Sequence, residues 1–306
     1  TLGSLRAVDF PVEKEGGMSL QLIVTGVIYG LSLGGIYFLV SVGLSLCFGL
    51  MRIIGLDQLL YYSLGAYGAY TVSAITGSLL LGAAAGTVMA AVVALVIERG
   101  VYRRIYDRDL MFSMITSFGI LLAGIGVIKT IWGVVPRPVH MPLGRQIAIL
   151  GTDIPLYRIM VIAFAALVYG GIWLFLHRTM VGKAIRAGVQ NMGNVQALGI
   201  NVRRLFTVTF VLAAGLSGLA GALYAPIIMV DPYMGLDLMA FVFMVVIIGG
   251  LGSIKGTLYS SLLIGQVVSL GSLIYAPLAV VAPFAIMLAI LLVRPAGLFG
   301  VLGAVR

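Results

Sequence analysis

The sequence is poor in charge and poorest in acidic residues. Of its 306 residues 9% are charged, and Asp and Glu number 10 against 19 Lys and Arg. Soluble globular domains carry about 25% charged residues, so this composition excludes a soluble enzyme. Hydrophobic residues make up 61% of the chain, and the mean hydropathy is +1.15. The sequence therefore predicts a polytopic membrane protein.

Cysteine and histidine are also scarce. The single Cys47 has no second cysteine to pair with, and we predict that it packs inside an apolar helix. His140 and His177 have no partners at the spacing of a metal site. The sequence also contains no nucleophile–base arrangement typical of a membrane enzyme. We therefore expect no catalytic residue, no metal site and no cofactor in this chain.

Ionisable residues are nearly absent from the long apolar runs. A proton- or sodium-coupled secondary transporter usually carries Asp, Glu, His or Lys inside its spans. Here Glu98 and Lys129 fall near helix ends, and Asp57 near the start of the second apolar run. Asp231 and Asp237 fall near an external turn. This pattern favours transport that is powered from outside the chain, with a secondary transporter or a channel as less favoured alternatives.

The sequence does contain a series of apolar runs of about 20 residues, the length of a helix that crosses a bilayer. The alternation typical of a β-barrel is missing. We predict an all-α transmembrane bundle with helices near 19–50, 57–76, 79–97, 110–133, 157–177, 205–226, 237–252, 256–274 and 276–293. Gly30, Gly34 and Gly35 can break the first helix. The glycines from 249 to 256 allow a re-entrant break in 237–274, so eight spans is the alternative to nine.

The segment GGLGSIKGT, residues 249–257, resembles a phosphate-binding loop. Its order is Lys255-Gly256-Thr257, whereas the Walker A motif requires Gly-Lys-Ser/Thr. We therefore expect no nucleotide here. Glycines that break a helix inside a bundle instead expose backbone groups to a cavity, as in many transport paths.

The cations predict an orientation. If residues 98–109 face the cytoplasm, alternate connections place 13 of the 19 Lys and Arg residues on that side and 6 on the other, as the positive-inside rule requires. Residues 1–17 precede the first apolar helix and are interpreted as an N-terminal tail, a leader or an added extension. Residues 18–306 are interpreted as one transmembrane domain with a cytoplasmic loop at 178–204.

The loop 178–204 contains no long apolar run. Between 180 and 204 it carries several cations and no acidic residue. Four apolar residues recur at spacings of four, three and three, which predicts that they line one side of a helix: Ile185, Val189, Met192 and Val195. Gly193 and Gly199 mark points where the chain can turn. The loop is either a basic helix that lies on anionic lipid or a docking element for a soluble partner.

Several ordered motifs resemble those of Liv-type permeases, the membrane subunits of ABC importers for branched-chain amino acids and related amides. In the loop, the resemblance rests on Gly182, Ala184, Arg186, Ala187, Asn194 and the run ALGIN at 197–201. It continues through GLSGLAGALYAP at 215–226, IIGGLGSIKGTLYSSLLIG at 247–265 and RPAGLFG at 294–300. Upstream it includes the segments 30–53, 64–70 and 98–120. The resemblance covers nearly the whole chain from Met18, and within the family's permease pairs the shorter partner is the more similar.

The resemblance implies a permease that works by alternating access in the inner membrane of a prokaryote. Its partners would be a second permease, two cytoplasmic ATPases that bind ATP and Mg²⁺, and an extracytoplasmic solute-binding protein. In such importers a cytoplasmic helix of the permease sits in a cleft on the ATPase. We predict that this coupling is carried by Lys183, Ile185, Arg186, Val189, Met192, Gly193, Val195 and Gly199.

The sequence departs from the family where many members carry Asn-Phe-Ala-His-Gly after the first helix. This chain reads IIGLDQLLYYSLGAY at 53–67. We predict a substrate path lined by Asp57, Gln58, Tyr61, Thr116, Ser117, Gly249, Gly250, Gly252 and Ser253, with packing against the neighbouring permease as the alternative for the first three. The near absence of fixed charge favours a net-neutral solute. An aliphatic amino acid is the first choice, and urea or a short amide the second.

Overall fold

The computed structural model describes residues 20–106, 108–139, 146–149 and 152–300, so the predicted N-terminal tail and His140 lie outside the described residues. The described chain is a helical bundle, as predicted. Its helices are α1 (Leu20–Met51), α2 (Gln58–Thr76), α3 (Leu79–Gly100), α4 (Leu110–Trp132), α5 (Leu156–Arg178), α6 (Met180–Gln190), α7 (Met192–Ala197), α8 (Val202–Tyr224), α9 (Met234–Gly249), α10 (Ile254–Ile274) and α11 (Leu278–Val293). One antiparallel pair, β1 (Gln146–Ile149) and β2 (Thr152–Pro155), precedes α5.

Six of the described helices are long and apolar enough to cross a bilayer: α1, α3 together with the turn that follows it, α4, α5, α8 and α10. The predicted eight or nine spans exceed this number. The difference lies in α2, α9 and α11. Helix α2 carries Gln58 and several Tyr, Ser and Thr residues, whereas α9 and α11 are apolar but only 16 residues long.

Helix α1 is one unbroken helix of 32 residues, so the predicted break at Gly30, Gly34 and Gly35 is wrong. Two of these glycines instead let α10 approach the α1 backbone. A Cβ at Gly34 would lie 2.9 Å from the carbonyl oxygen of Ser261, and one at Gly30 would lie 2.9 Å from the Cα of Gln266. Small residues serve this purpose in membranes because lipid gives helices no hydrophobic reason to associate.

The glycine-rich segment between α9 and α10 forms a short turn. Gly250 and Gly252 have φ angles of 93° and 84°, which an L side chain rarely adopts. The turn lies against the end of α1, because a Cβ at Gly252 would be 3.0 Å from the Cα of Gly49. Above it, α9 and α10 lie side by side, and Ser260 donates a hydrogen bond of 2.6 Å to the carbonyl of Val245.

The helix ends rich in cations gather at one end of the bundle, which we call the basic end. It includes Arg103, Lys183 and Arg203. Arg103 joins the end of α3 to the start of α8 through a hydrogen bond of 3.1 Å to Thr207. Residues 294–300 return to the same end, where Leu298 N–H donates a hydrogen bond of 2.7 Å to the carbonyl of Ile248.

The core is built around α1, α2 and α8. Tyr61, Tyr62, Phe38 and Phe210 are fully buried between them. Helices α3, α4 and α5 are peripheral, since at most 28% of the most apolar stretch of each is buried inside the bundle. This arrangement places α2 at the centre and the loop that follows α5 at the basic end.

Candidate functional site

The loop at 178–204 folds into two short helices, each fixed by a side-chain cap. Thr179 accepts a hydrogen bond of 3.0 Å from Gly182 N–H at the start of α6. Asn191 accepts one of 2.9 Å from Gly193 N–H at the start of α7. Gly199 then turns the chain with a φ of 74°, and Asn201 caps α8. Such caps satisfy amide groups that the first turn of a helix leaves unpaired.

One face of α6 packs on its own chain. A Cβ at Gly188 would lie 2.6 Å from the side chain of Leu50, at the end of α1, and Ile185 is only 2% exposed. The guanidinium of Arg186 donates a hydrogen bond of 3.0 Å to the carbonyl of Leu176 in α5. Helix α6 is therefore held between the ends of α1 and α5.

The prediction of a single helix with one apolar stripe is wrong. Asn191 has extended backbone angles, φ −157° and ψ 107°, so α6 and α7 are separate helices. Ile185 and Val195 are buried in this chain and Met192 is partly buried, whereas Lys183, Arg186, Val189, Gly193 and Gly199 are exposed. The predicted coupling residues are thus divided between an inner and an outer surface.

Two exposed apolar residues of this region were missed by sequence reasoning. Met180 is 81% exposed and Leu198 is 77% exposed, one at each end of the α6–α7 pair. Between them the outer face carries Lys183, Ala187 and Gln190. We call the exposed residues of 180–200 the coupling surface. This surface is basic and has an apolar residue at each end. One feature of the sequence could have indicated it, namely the apolar Met180 directly after Thr179, which caps α6.

A buried carboxylate links the first basic loop to α8. Glu98 is fully buried, and its Oε1 accepts hydrogen bonds from Thr207 at 2.9 Å and from Tyr106 at 2.7 Å. Arg103 forms an ion pair with the same oxygen at 3.3 Å. Burial, together with the bond to Glu98, raises the pKa of the Tyr106 hydroxyl far above its usual value, so it remains a donor. Sequence reasoning placed Glu98 only at a helix end.

Three of the predicted path residues lie in a buried polar cluster beside the start of α2. The Tyr61 hydroxyl donates to Asp57 Oδ2 at 2.8 Å. Gln58 Oε1 accepts from Ser217 of α8 at 2.9 Å, and its amide donates to the sulfur of Cys47 at 3.6 Å. All five side chains are buried. Cys47 packs inside a helix, as predicted.

The other predicted path residues lie elsewhere. Ser117 donates a hydrogen bond of 2.8 Å to the carbonyl of Ile54, a residue that precedes Asp57 by three positions. Thr116 donates only to the carbonyl of Phe112 in its own helix. The carbonyl of Gly249 already accepts a bond of 3.2 Å from Phe299. Ser253 caps α10 through Gly256 N–H at 3.1 Å.

The turn that contains Gly249, Gly250, Gly252 and Ser253 belongs to the basic end. A Cβ at Gly49 would lie 2.9 Å from the Cα of Gly252 and 3.5 Å from the side chain of Val189. The turn therefore lies beside α6 and the end of α1, and Gly250 also lies against Ala296 and Gly300. Its role in a substrate path stays a prediction.

Comparison with known families identifies the family of the chain. The model of the branched-chain amino acid transport system permease component matches residues 26–291. The chain belongs to this family. It is a Liv-type ABC permease, a multi-pass membrane protein, and members of this family are transporters rather than enzymes. The family also implies association with ATPase subunits and a binding protein.

Relatives match over most of their length. The high-affinity branched-chain amino acid transport system permease protein LivH of Escherichia coli K12 is 26% identical over 293 residues, covering 89% of this chain and 93% of the relative. BraD of Pseudomonas aeruginosa, with the same description, is 26% identical and covers 89% and 94%. A probable LivH of Methanocaldococcus jannaschii is 26% identical and covers 86% and 88%.

Among solved structures, the chain is similar to PsaBC from Streptococcus pneumoniae in complex with Fab. The TM-score is 0.48 at 16% sequence identity, and the match covers 91% of this chain and 94% of that one.

Proposed function

We propose that this chain is the permease subunit of an ATP-driven importer of branched-chain or other aliphatic amino acids. The observation that carries the proposal is the coupling surface. It belongs to two capped helices that are fixed on the transmembrane bundle by Ile185, Gly188 and Arg186, while their basic outer face is exposed. Helices that are packed firmly on the bundle on one side and exposed on the other suit an element that transmits force from a soluble partner.

The basic end would face the cytoplasm of a prokaryote, in accord with the positive-inside rule. Helix α9 reaches this end at Gly249, and α10 leaves it at Ile254, which supports two crossings rather than a re-entrant break. With α2 and α11 also counted, the bundle would cross the inner membrane nine times. Short spans such as α9 are tolerated where neighbouring helices surround them.

Two cytoplasmic ATPases would bind ATP and Mg²⁺ and dock on the coupling surface of each permease. Met180 and Leu198 offer apolar anchors, and Lys183 offers a positive charge between them. A basic surface with exposed apolar ends fits a cleft of complementary charge and apolar lining. ATP binding and hydrolysis would then shift a pair of permeases, of which this chain is one, between outward and inward states.

The substrate would be leucine, isoleucine or valine, delivered by an extracytoplasmic binding protein. The names of the bacterial relatives support this class. The buried cluster of Asp57, Gln58 and Tyr61 would be close to the path without lining it in this conformation. Urea or a short amide is the second choice within the family.

Uptake in proteoliposomes tests the proposal. The chain is reconstituted with its second permease and its ATPases, and the loaded binding protein is added outside. We expect accumulation of leucine that requires ATP on the ATPase side and is unaffected when proton and sodium gradients are abolished. Uptake driven by an ion gradient without ATP would instead identify a secondary transporter. Uptake of urea alone would change the substrate class.

A further inference from the structure

An apolar groove runs along α5, on the side of this helix that faces α3 and α8. Toward the basic end it forms a cavity of about 510 Å³. The cavity is lined on its three sides by small residues: Gly171 of α5, Ala91 of α3 and Gly215 of α8. A second cavity toward the opposite end shares Thr87 and Leu219 with the first. The groove therefore continues along most of the bundle.

Helix α5 is fixed at both ends of this groove. Near the start of α5, the Tyr157 hydroxyl donates a hydrogen bond of 2.6 Å to the carbonyl of Leu223 in α8. Near its other end, the carbonyl of Leu176 accepts a hydrogen bond of 3.0 Å from Arg186 of α6. Because both ends are held, α5 cannot close on α8 without breaking one of these bonds. The groove is thus a stable feature of the bundle.

The cavity near the basic end has the depth of one leaflet of the bilayer. Its α5 side extends from Leu167 to Leu176, and its α8 side from Thr209 to Leu219. At 1.5 Å per residue these lengths are about 14 and 15 Å, half of a hydrocarbon core of about 30 Å. A volume of about 510 Å³ over that length gives a mean cross-section of about 34 Å², less than half that of a helix about 10 Å across. The cavity suits a chain thinner than a helix.

An arginine with unused donors lies at the basic end of the cavity. Arg186 follows Ile185, which lines the cavity, and its Nε donates to the carbonyl of Leu176, which lines the cavity as well. Among the described residues, the two terminal nitrogens of Arg186 have no hydrogen-bond partner and form no ion pair. They carry four N–H groups in a planar fork, a geometry that matches the oxygens of a phosphate.

Two further exposed arginines lie on the helix faces that line the cavity. Arg178 follows Gly171 by seven residues on α5, and Arg204 precedes Gly215 by eleven residues on α8. Spacings of seven and eleven return to the same side of a helix with 3.6 residues per turn. Within the described part of the chain, neither arginine forms an ion pair. The end of the groove at the basic end is therefore positively charged.

We propose that this groove binds an anionic phospholipid of the cytoplasmic leaflet, with an acyl chain in the cavity and the phosphate on Arg186. Arg178 and Arg204 add positive charge around the headgroup. Basic pockets between membrane helices bind anionic headgroups on the cytoplasmic side. The lipid joins α5 to α8 where their side chains leave a gap, and so supports the helix on which α6 rests. Its binding goes beyond the proposed function and does not depend on which solute is transported.

Two adjacent glycines provide a matched pair of variants, Gly171→Leu and Gly170→Leu. A Cβ at either glycine would meet no atom within 4 Å, but only Gly171 lines the cavity. Importer complexes are purified from nanodiscs with equal amounts of phosphatidylglycerol and phosphatidylcholine, and native mass spectrometry counts the lipids retained. We expect the wild type and Gly170→Leu to retain phosphatidylglycerol and Gly171→Leu to lose most of it, because leucine occupies the space of the acyl chain. Equal retention by the two variants would overturn the proposal.

Arg186→Gln tests the headgroup contact without adding bulk to the groove. We expect the preference for phosphatidylglycerol over phosphatidylcholine to fall roughly tenfold, as the loss of one charge-assisted contact implies. Arg186→Lys keeps the charge and should keep part of the preference. An unchanged preference in Arg186→Gln, or a wild-type complex without bound phosphatidylglycerol, would contradict the proposal.

A helix of the second permease is the competing occupant of the groove. Release of that subunit by Gly171→Leu, but not by Gly170→Leu, would identify it and overturn the lipid site. Lipid retention is measured without any solute, so a failure of leucine uptake would affect the proposed function and leave the result on the lipid intact.

Discussion

Thr207 of α8 donates a hydrogen bond of 2.9 Å to the buried carboxylate of Glu98 at the end of α3. The two residues are 109 positions apart. Their bond connects α8, which follows the coupling surface in the chain, to the end of α3. In the proposed importer, movement of the coupling surface would reach α8 along the chain that follows α7, and would reach α1 and α5 through their contacts with α6. The bond to Glu98 would carry the movement of α8 to α3 and to the basic loop of Arg103.

Replacement of Thr207 by Val should therefore impair both stability and coupling. The change leaves Glu98 buried with one donor fewer, which costs about 1–3 kcal/mol. We expect a lower thermal midpoint in detergent and weaker substrate-stimulated ATP hydrolysis. Thr116→Val is the matched control, because the Thr116 hydroxyl bonds only to its own helix. Equal thermal midpoints for the two variants would show that the Glu98–Thr207 hydrogen bond does not contribute to stability as proposed.

The inner and outer residues of α6 should respond differently to substitution. Ile185→Ala empties a buried position, so the free energy of unfolding should fall by about 2–5 kcal/mol. Ala187→Trp adds bulk on the exposed face and should leave thermal stability unchanged while it reduces ATPase stimulation. Gly170→Trp is its control, since open space surrounds Gly170 on α5. Normal coupling in Ala187→Trp would favour a helix that merely lies on lipid.

Close helix contacts in the core predict a strong effect of one added methyl group. A Cβ at Gly65 would collide with the backbone of Gly218, where α2 crosses α8. Gly65→Ala should therefore destabilise the protein by about 1–3 kcal/mol or more, as overpacking does. Gly119→Ala has no neighbour within 4 Å and should be neutral. Measurement of the folded yield in detergent, by size-exclusion profile, separates the two.

Accessibility to a membrane-impermeant thiol reagent tests the sidedness. Cys47 is buried, so it gives a low background. A cysteine in place of Lys183 should react only from the cytoplasmic side, and one in place of Asp153 only from the opposite side. Labelling of both from the same side would contradict the orientation and would leave the coupling surface without access to ATP-binding partners.

Sequence reasoning located the long helices well because their boundaries follow hydropathy. The predicted helix at 110–133 compares with Leu110–Trp132, and that at 157–177 with Leu156–Arg178. The same reasoning could not find the break between α6 and α7 at Asn191, because the spacing of apolar residues continues across it. Helix α6 ends there because Asn191 caps the start of α7. Nor could sequence reasoning tell that Ile185 is buried and Val189 exposed. Both residues are apolar, and one packs on this chain while the other is exposed.

Photo-crosslinking from the coupling surface tests the central claim most directly. A photoreactive amino acid is placed at Ala187 in the assembled importer, and another at Trp173, an exposed position on α5. We predict that the Ala187 position crosslinks to an ATPase subunit and that the yield changes when ATP is added, whereas the Trp173 position crosslinks to lipid. Crosslinking of both positions to lipid alone, in a complex that retains its ATPases and hydrolyses ATP, would contradict the account.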